Sequence, residues 1–269
     1  MLIHYASDLH TEFEGNRLFV KYNMKSLFPY GDILILAGDC FVPNNEFELK
    51  KCNKILNYLS ESYSHVYLVY GNHEFYYDYS ISDSFEKKIY LRDNIEYCQN
   101  ETVKIGSDKE GYPIYLILST LWSDISSCTN SEKFIMNDLR YSNFSSDEKG
   151  VKKLDSDKYC ELNIKCIDYI FNSCSTLKKE DPNCKLIVAT HHVPVKELCE
   201  RSDLKGLDFF FYNDLSKRIE ESGIDYWIFG HNHTNKNLKI GNTEIVCNQL
   251  GYVDYEKHDE FKCSFVKIK

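Results

Sequence analysis

The chain has 269 residues, a net charge of −9 and a hydrophobic share of 43%. That is enough apolar material for one sizeable α/β core and too much for a disordered chain. An acidic surface repels phosphate backbones, because nucleic-acid affinity comes mostly from Lys and Arg displacing counterions, so bulk DNA or RNA binding is disfavoured. Eleven cysteines occur, scattered and never spaced C-x-x-C, which predicts reduced, mostly buried thiols in a reducing compartment.

Leu2–Ala6 already reads as a strand and leaves no room for a secretory signal. No apolar run approaches the roughly 20 residues that span a bilayer. A cytoplasmic protein without membrane contact is the expectation. There is no repeat and no Pro- or Gly-rich linker, so one domain over residues 1–269 is the simplest organisation.

Five short apolar runs follow in chain order: Leu2–Ala6, Ile33–Ala37, Val66–Tyr70, Leu186–Ala189 and Tyr226–Phe229. None alternates cleanly with polar residues, which suits strands buried on both faces. Asn44 and Asn45 are placed to cap a helix carrying Leu49, Cys52, Ile55, Leu56 and Leu59. A second helix is predicted over Asp155 to Cys174, and a third over Asp208 to Ser222 with Gly223 as its stop. Thr102–Ile105 and Ile114–Leu121 read as strands of a second sheet. Ser123–Lys153 is polar and poorly periodic, and reads as a long loop or lid.

The residues after each of the five runs carry the chemistry. They are Asp8-Leu9-His10, Gly38-Asp39, Gly71-Asn72-His73-Glu74, His191-His192 and Gly230-His231-Asn232-His233. Six of the nine histidines fall here, where packing alone gives no reason for them to gather. Ligand sites in open α/β sheets lie at the carboxyl ends of strands, so five such ends would bring these groups together. Gly38, Gly71 and Gly230 would let the chain turn sharply at the strand ends. Carboxylate, amide oxygen and imidazole without thiolate suit Mn, Fe, Ni or Zn at a catalytic centre. Seven ligand groups are too many for one ion. Two ions sharing one carboxylate, roughly 3.5–4 Å apart, are the usual arrangement for phosphoryl chemistry, in which a bridging hydroxide attacks phosphorus.

These five segments, from Ser7 to His233, resemble the ordered motifs of the calcineurin-like metallophosphoesterases, in particular a subgroup of small stand-alone phosphohydrolases. The resemblance implies a four-layer sandwich of two mixed β-sheets flanked by helices. It implies one metal held by Asp8, His10, Asp39 and His233, and another by Asp39, Asn72, His191 and His231, with Asp39 bridging. Manganese is the favoured ion. His73 would reach the substrate, stabilising charge or protonating the leaving oxygen. His191 is chosen over His192 because it directly follows the strand and because the first His of this pair binds metal in similar sequences. His192 then stands in the outer shell, toward the substrate.

Local likeness to the subgroup also covers Thr120–Asp124, Met136–Asp138 and Asn248–Tyr252. The segment from Trp122 to Arg140 is expected to set substrate choice: Trp122 stacking a base or aryl group, Asn137 and Asp138 bonding a sugar or base edge, Arg140 pairing with a second phosphate. The protein Ser/Thr phosphatases of the superfamily carry an Asp-Arg-Gly stretch after Gly-Asp. Here Cys40-Phe41-Val42-Pro43 follows instead, which demotes that reading. The expected function is hydrolysis of a small or nucleotide-like phosphomonoester or phosphodiester. The alternatives are a nuclease, or a non-catalytic scaffold of the same fold, like the retromer subunit that resembles this family.

Overall fold

A computed structural model describes residues 1–76, 79–148, 150–199 and 207–268. In chain order the elements are β1 (Leu2–Ala6), α1 (Glu14–Leu27), β2 (Gly31–Ala37), α2 (Glu46–Ser62), β3 (Tyr63–Val69), α3 (Ile81–Glu86), β4 (Ile89–Arg92), β5 (Ile95–Cys98), β6 (Glu101–Ser107) and β7 (Pro113–Ser119). Then come α4 (Asn130–Ile135), α5 (Asn137–Tyr141), β8 (Asn143–Asp147), β9 (Gly150–Lys153), α6 (Ser156–Glu180) and β10 (Lys185–Thr190). The chain continues with α7 (Ser216–Ser222), β11 (Tyr226–Phe229), β12 (Leu238–Ile240), β13 (Thr243–Cys247) and β14 (Phe265–Lys267).

Two six-stranded sheets have the orders β14-β1-β2-β3-β5-β4 and β12-β13-β11-β10-β7-β6. In each, four parallel strands are flanked by one antiparallel strand at either edge. The uninterrupted apolar runs are explained by what lies on each side. In β2, Ile33, Ile35 and Ala37 face the partner sheet, where they meet Leu116, Leu118, Ile187 and Ile228. The alternate residues Leu34 and Leu36 pack outward on Val20 and Met24 of α1 and on Cys52, Ile55 and Leu59 of α2. Sidedness of period two with both sides dry leaves no position for a polar residue. The second sheet repeats the arrangement: Leu186, Val188, Trp227 and Phe229 lie under Ile170 and Cys174 of α6 and Ile219 of α7. The result is helices, sheet, sheet, helices, the expected four layers.

The local signals held unevenly. Asn45 caps α2, its side chain accepting from the Glu48 amide at 3.2 Å, and Asp155 caps α6 from the Lys158 amide at 2.8 Å. The helix begun by Asp155 runs on to Glu180, beyond its expected end at Cys174. The predicted third helix is broken. Asp208–Phe210 is one 3-10 turn, and only Ser216–Ser222 is α-helical before Gly223 closes it at φ 70°. Between them the backbone pairs with another segment: Val193 N–H donates to Phe211 O, and Asn213 N–H donates to Val193 O. Tertiary pairing overrides the helical spacing of Phe211, Leu215 and Ile219. The expected loop from Ser123 to Lys153 contains α4, α5 and the β8–β9 hairpin, Lys149 lying outside the described residues. The sequence reading also lacks α1, whose N-cap, Phe13, offers no side-chain cap. Among the described residues no helix is long and apolar enough to cross a membrane.

Candidate metal centre

The five motif segments follow strands of both sheets. β1, β2 and β3 belong to the first sheet, and β10 and β11 to the second. Their carboxyl ends converge because the two sheets pack face to face, so the site is built across the sandwich.

The turns that follow are unusually tight. Asp8, His10, Asp39, His231 and His233 all have positive φ, between 45° and 82°. Such backbone costs roughly 1–3 kcal/mol per non-glycine residue and persists where surrounding contacts impose it. Here the contacts are visible. The His10 amide N–H donates to Asp39 O at 2.8 Å, and the His231 amide N–H to the Asp8 carboxylate at 3.0 Å. Gly38, at φ 89°, lies so close to His191 that a Cβ would sit 2.2 Å from its Nδ1.

Glu74 fastens two of these turns together. Its carboxylate accepts from the amide N–H of Asp39 (3.1 Å), Cys40 (2.9 Å) and Gly71 (2.7 Å). Asp39 in turn accepts from the His73 amide at 2.9 Å.

Among the groups of side chains close enough to hold a metal ion are two at the expected centre, Asp8 with His10 and His233, and Asp39 with His191 and His231, and a third joins His10 to Glu12 and His73. Asp39 Oδ2 lies 3.8 Å from His10 Nε2 and 3.4 Å from His191 Nε2, between the two groups. Asn72 Oδ1 is 2.9 Å from His191 Nε2. His10 Nε2 and His233 Nε2 approach to 3.1 Å.

The donor set fits divalent cations. Asp8 and Asp39 are buried, and among the described residues their ion-pair partners are histidines, with no Lys or Arg against them. Two buried carboxylates need positive charge beside them, which protonated His191 and His233 give in the absence of metal and divalent cations would give in their place. His10 Nδ1 lies 3.0 Å from Glu12 and His233 Nδ1 lies 2.6 Å from Glu256. With each Nδ1–H donated backward to a carboxylate, both Nε2 lone pairs point at one place, the usual preparation of an imidazole for a metal. Burial works to raise the Asp39 pKa, but His191, His73 and His10 hold it well below the usual carboxylate range. Burial opposes charge on His73 as well, yet Asp39 and Glu12 outweigh it and raise its pKa to about 9.

His191 and His192 are both fully buried but face different ways. His191 Nδ1 donates to Ala37 O at 3.0 Å, leaving Nε2 toward Asp39 and Asn72. His192 lies between Thr120 O and the Tyr159 hydroxyl, each at 3.3 Å, outside both ligand groups and outside the cleft.

A cleft of about 300 Å³ opens over the centre, walled by His73, Tyr76, Met136, Asn137, Phe211 and Tyr252. Asn137 and Asp138 line it, whereas two other expected substrate contacts, Trp122 and Arg140, are corrected. Trp122 is 0% exposed, packed against Phe75, Tyr159 and His192, so its ring belongs to the core. Arg140 is exposed beside the Tyr141 ring and does not line the cleft. Asp138 lines the cleft too, but its carboxylate is buried and accepts from Asn72, Tyr76 and Tyr159.

The sequence reading missed Glu12, Glu256 and Tyr76. Glu12 had a signal, an acidic residue two places after a candidate ligand. Glu256 had none, since 23 residues separate it from His233. Tyr252, in a segment that had been singled out, places its ring 4.6 Å from His10 and its hydroxyl 3.3 Å from His73 Nε2.

Residues 1–235 match the family model of the calcineurin-like phosphoesterases. The uncharacterized protein L509 of Acanthamoeba polyphaga mimivirus is 29% identical over 298 residues, covering 99% of this chain and 96% of its own. Among solved structures, the phosphopantetheinyl hydrolase PptH of Mycobacterium tuberculosis superposes with a TM-score of 0.64 at 15% identity, covering 97% of this chain and 95% of that one. At that identity the likeness speaks for the fold. Five motifs in the family's order, on the family's fold, agree with the match over most of the length: the chain belongs to the calcineurin-like phosphoesterases and is a metal-dependent phosphoesterase.

Proposed function

We propose that the protein is a binuclear phosphoester hydrolase acting on a small phosphorylated substrate, with Asp39 bridging two divalent cations, manganese favoured. One observation carries this reading: a single carboxylate oxygen, Asp39 Oδ2, faces histidines of both ligand groups. Asp8, His10 and His233 would complete one site, and Asn72, His191 and His231 the other. Cations held there would supply Lewis acidity, lowering the pKa of a water between them and drawing charge from the phosphoryl oxygens.

The chain's own groups do the rest. Glu12 accepts from His73 Nδ1 at 3.0 Å, which leaves His73 Nε2 toward the cleft. A proton at that nitrogen is placed to reach a leaving oxygen, and its charge to stabilise one that develops there. Tyr76 and Tyr252 flank His73. No Lys or Arg lines the cleft among the described residues, and the metal centre itself would hold the phosphoryl group. The small volume favours a compact phosphomonoester or phosphodiester over a nucleic-acid strand. Eleven free cysteines support a reducing, cytoplasmic setting.

The test is metal content measured beside hydrolysis of aryl phosphomonoesters and phosphodiesters. Manganese-reconstituted protein should hold close to two ions per chain, and Asp39→Asn should lose both metal and activity. Full activity at one ion per chain would refute the binuclear reading.

A further inference from the structure

Asp138 stands 66 residues from Asn72 in sequence and touches it in space. Its carboxylate is fully buried, and every contact it makes is with a donor. Asn72 Nδ2–H donates to Oδ1 at 2.9 Å, the Tyr76 hydroxyl donates to the same oxygen, and the Tyr159 hydroxyl donates to Oδ2 at 3.3 Å. No cation pairs with it among the described residues. A buried carboxylate whose hydrogen-bond partners are all neutral is an expensive arrangement unless something uses its charge.

The use lies one residue away. A side-chain amide has two ends of nearly equal shape, one a donor and one an acceptor, and its neighbours decide which way it points. The Nδ2 end of Asn72 faces Asp138 and the Tyr76 hydroxyl, at 2.9 and 2.8 Å. The Oδ1 end therefore faces His191 Nε2 and the ligand group around Asp39. Rotated by half a turn, the amide would set its oxygen against the carboxylate and its N–H groups against the metal site. While ionised, the carboxylate accepts only, so it forbids that rotation, although burial raises its pKa. An amide or a hydroxyl at position 138 would tolerate both.

We propose that Asp138 is a positioning residue, whose buried carboxylate fixes the Asn72 amide with its oxygen toward the metal site and so secures the second cation. The proposal rests on the binuclear reading above.

The experiment titrates the full-length, metal-stripped protein with Mn²⁺ alone, following bound metal by equilibrium dialysis and electron paramagnetic resonance. Wild-type protein should take up two ions and show the coupled signal of a pair. Asp138→Asn should weaken one site by roughly 10–100-fold, the usual loss for an outer partner of a ligand. The other site should be unchanged, so the spectrum becomes that of isolated Mn²⁺. The exchanged pair Asn72→Asp with Asp138→Asn should recover the second ion, because a symmetric carboxylate then faces the metal and the amide behind it donates. Two sites of wild-type affinity in Asp138→Asn would overturn the proposal. So would equal weakening of both sites together with a fall in thermal stability, or an exchanged pair that binds no better than Asp138→Asn. Wild-type protein that takes up no Mn²⁺ would refute the metal reading itself, and this proposal with it.

Discussion

Glu12 Oε1 lies 3.0 Å from Nδ1 of His73, 61 residues further along the chain. The same oxygen is 3.0 Å from Nδ1 of His10, so one carboxylate orients a candidate metal ligand and the candidate proton donor together. Burial raises the Glu12 pKa, but the two imidazoles outweigh it and bring it down to about 2.

Removing that carboxylate should separate leaving groups. On an alkyl phosphoester, whose alkoxide must be protonated to leave, Glu12→Ala should lower kcat about 10–100-fold. On a nitrophenyl ester, whose leaving group needs no proton, the loss should be much smaller. Glu12→Gln keeps an accepting oxygen and should fall between. Steady-state kinetics on the two esters, with metal content measured alongside, checks this. Equal losses on both would mean that Glu12 serves His10 alone.

The two adjacent histidines should part company. His191→Ala should strip a metal ion, because its Nε2 faces Asp39 and Asn72. His192→Ala should retain both ions and instead lower stability by roughly 0.5–3 kcal/mol through loss of its packing on Trp122 and His231. Elemental analysis and thermal melts of both variants distinguish the roles, and metal loss in His192→Ala would reverse the assignment.

Gly71→Ala should abolish metal binding although it adds only a methyl group. A Cβ at that position would sit 2.1 Å from Asp39 Oδ1 and 2.6 Å from the Asp39 amide nitrogen, so Asp39 must move. The substitution displaces the carboxylate without changing any ligand. Metal uptake like that of the wild type would show that the turn gives way more easily than its contacts imply.

Substrate choice should respond to Tyr252 and not to Trp122. Trp122→Ala should cost about 3–5 kcal/mol of stability, as truncation of a fully buried aromatic does, and should lower kcat/KM similarly for all substrates. Tyr252→Ala, on the cleft wall, should change kcat/KM unequally among aryl, alkyl and nucleotide esters. Identical selectivity profiles for wild type and Tyr252→Ala would place the specificity elsewhere.

How much of this was legible in the sequence follows from how far apart the interacting groups lie in it. The runs Leu2–Ala6 and Tyr226–Phe229 declared themselves as doubly buried strands because local composition reports burial on both faces. The ligand types were readable because each follows a strand within four residues, and metal chemistry admits few residue types. Asn45 announced its helix because a cap is a contact across three residues. Which sheet each strand joins, that Trp122 turns inward, and that the helix expected at Asp208 gives way to pairing with Val193 were decided by tertiary structure, since long-range contacts outweigh local preference there. The carboxylates behind the candidate ligands, Glu256 for His233 and Asp138 for Asn72, belong to the same class. An outer partner needs only one acceptor oxygen at the right point in space, and any segment that the fold brings there can supply it, so its place in the chain carries no mark of its task.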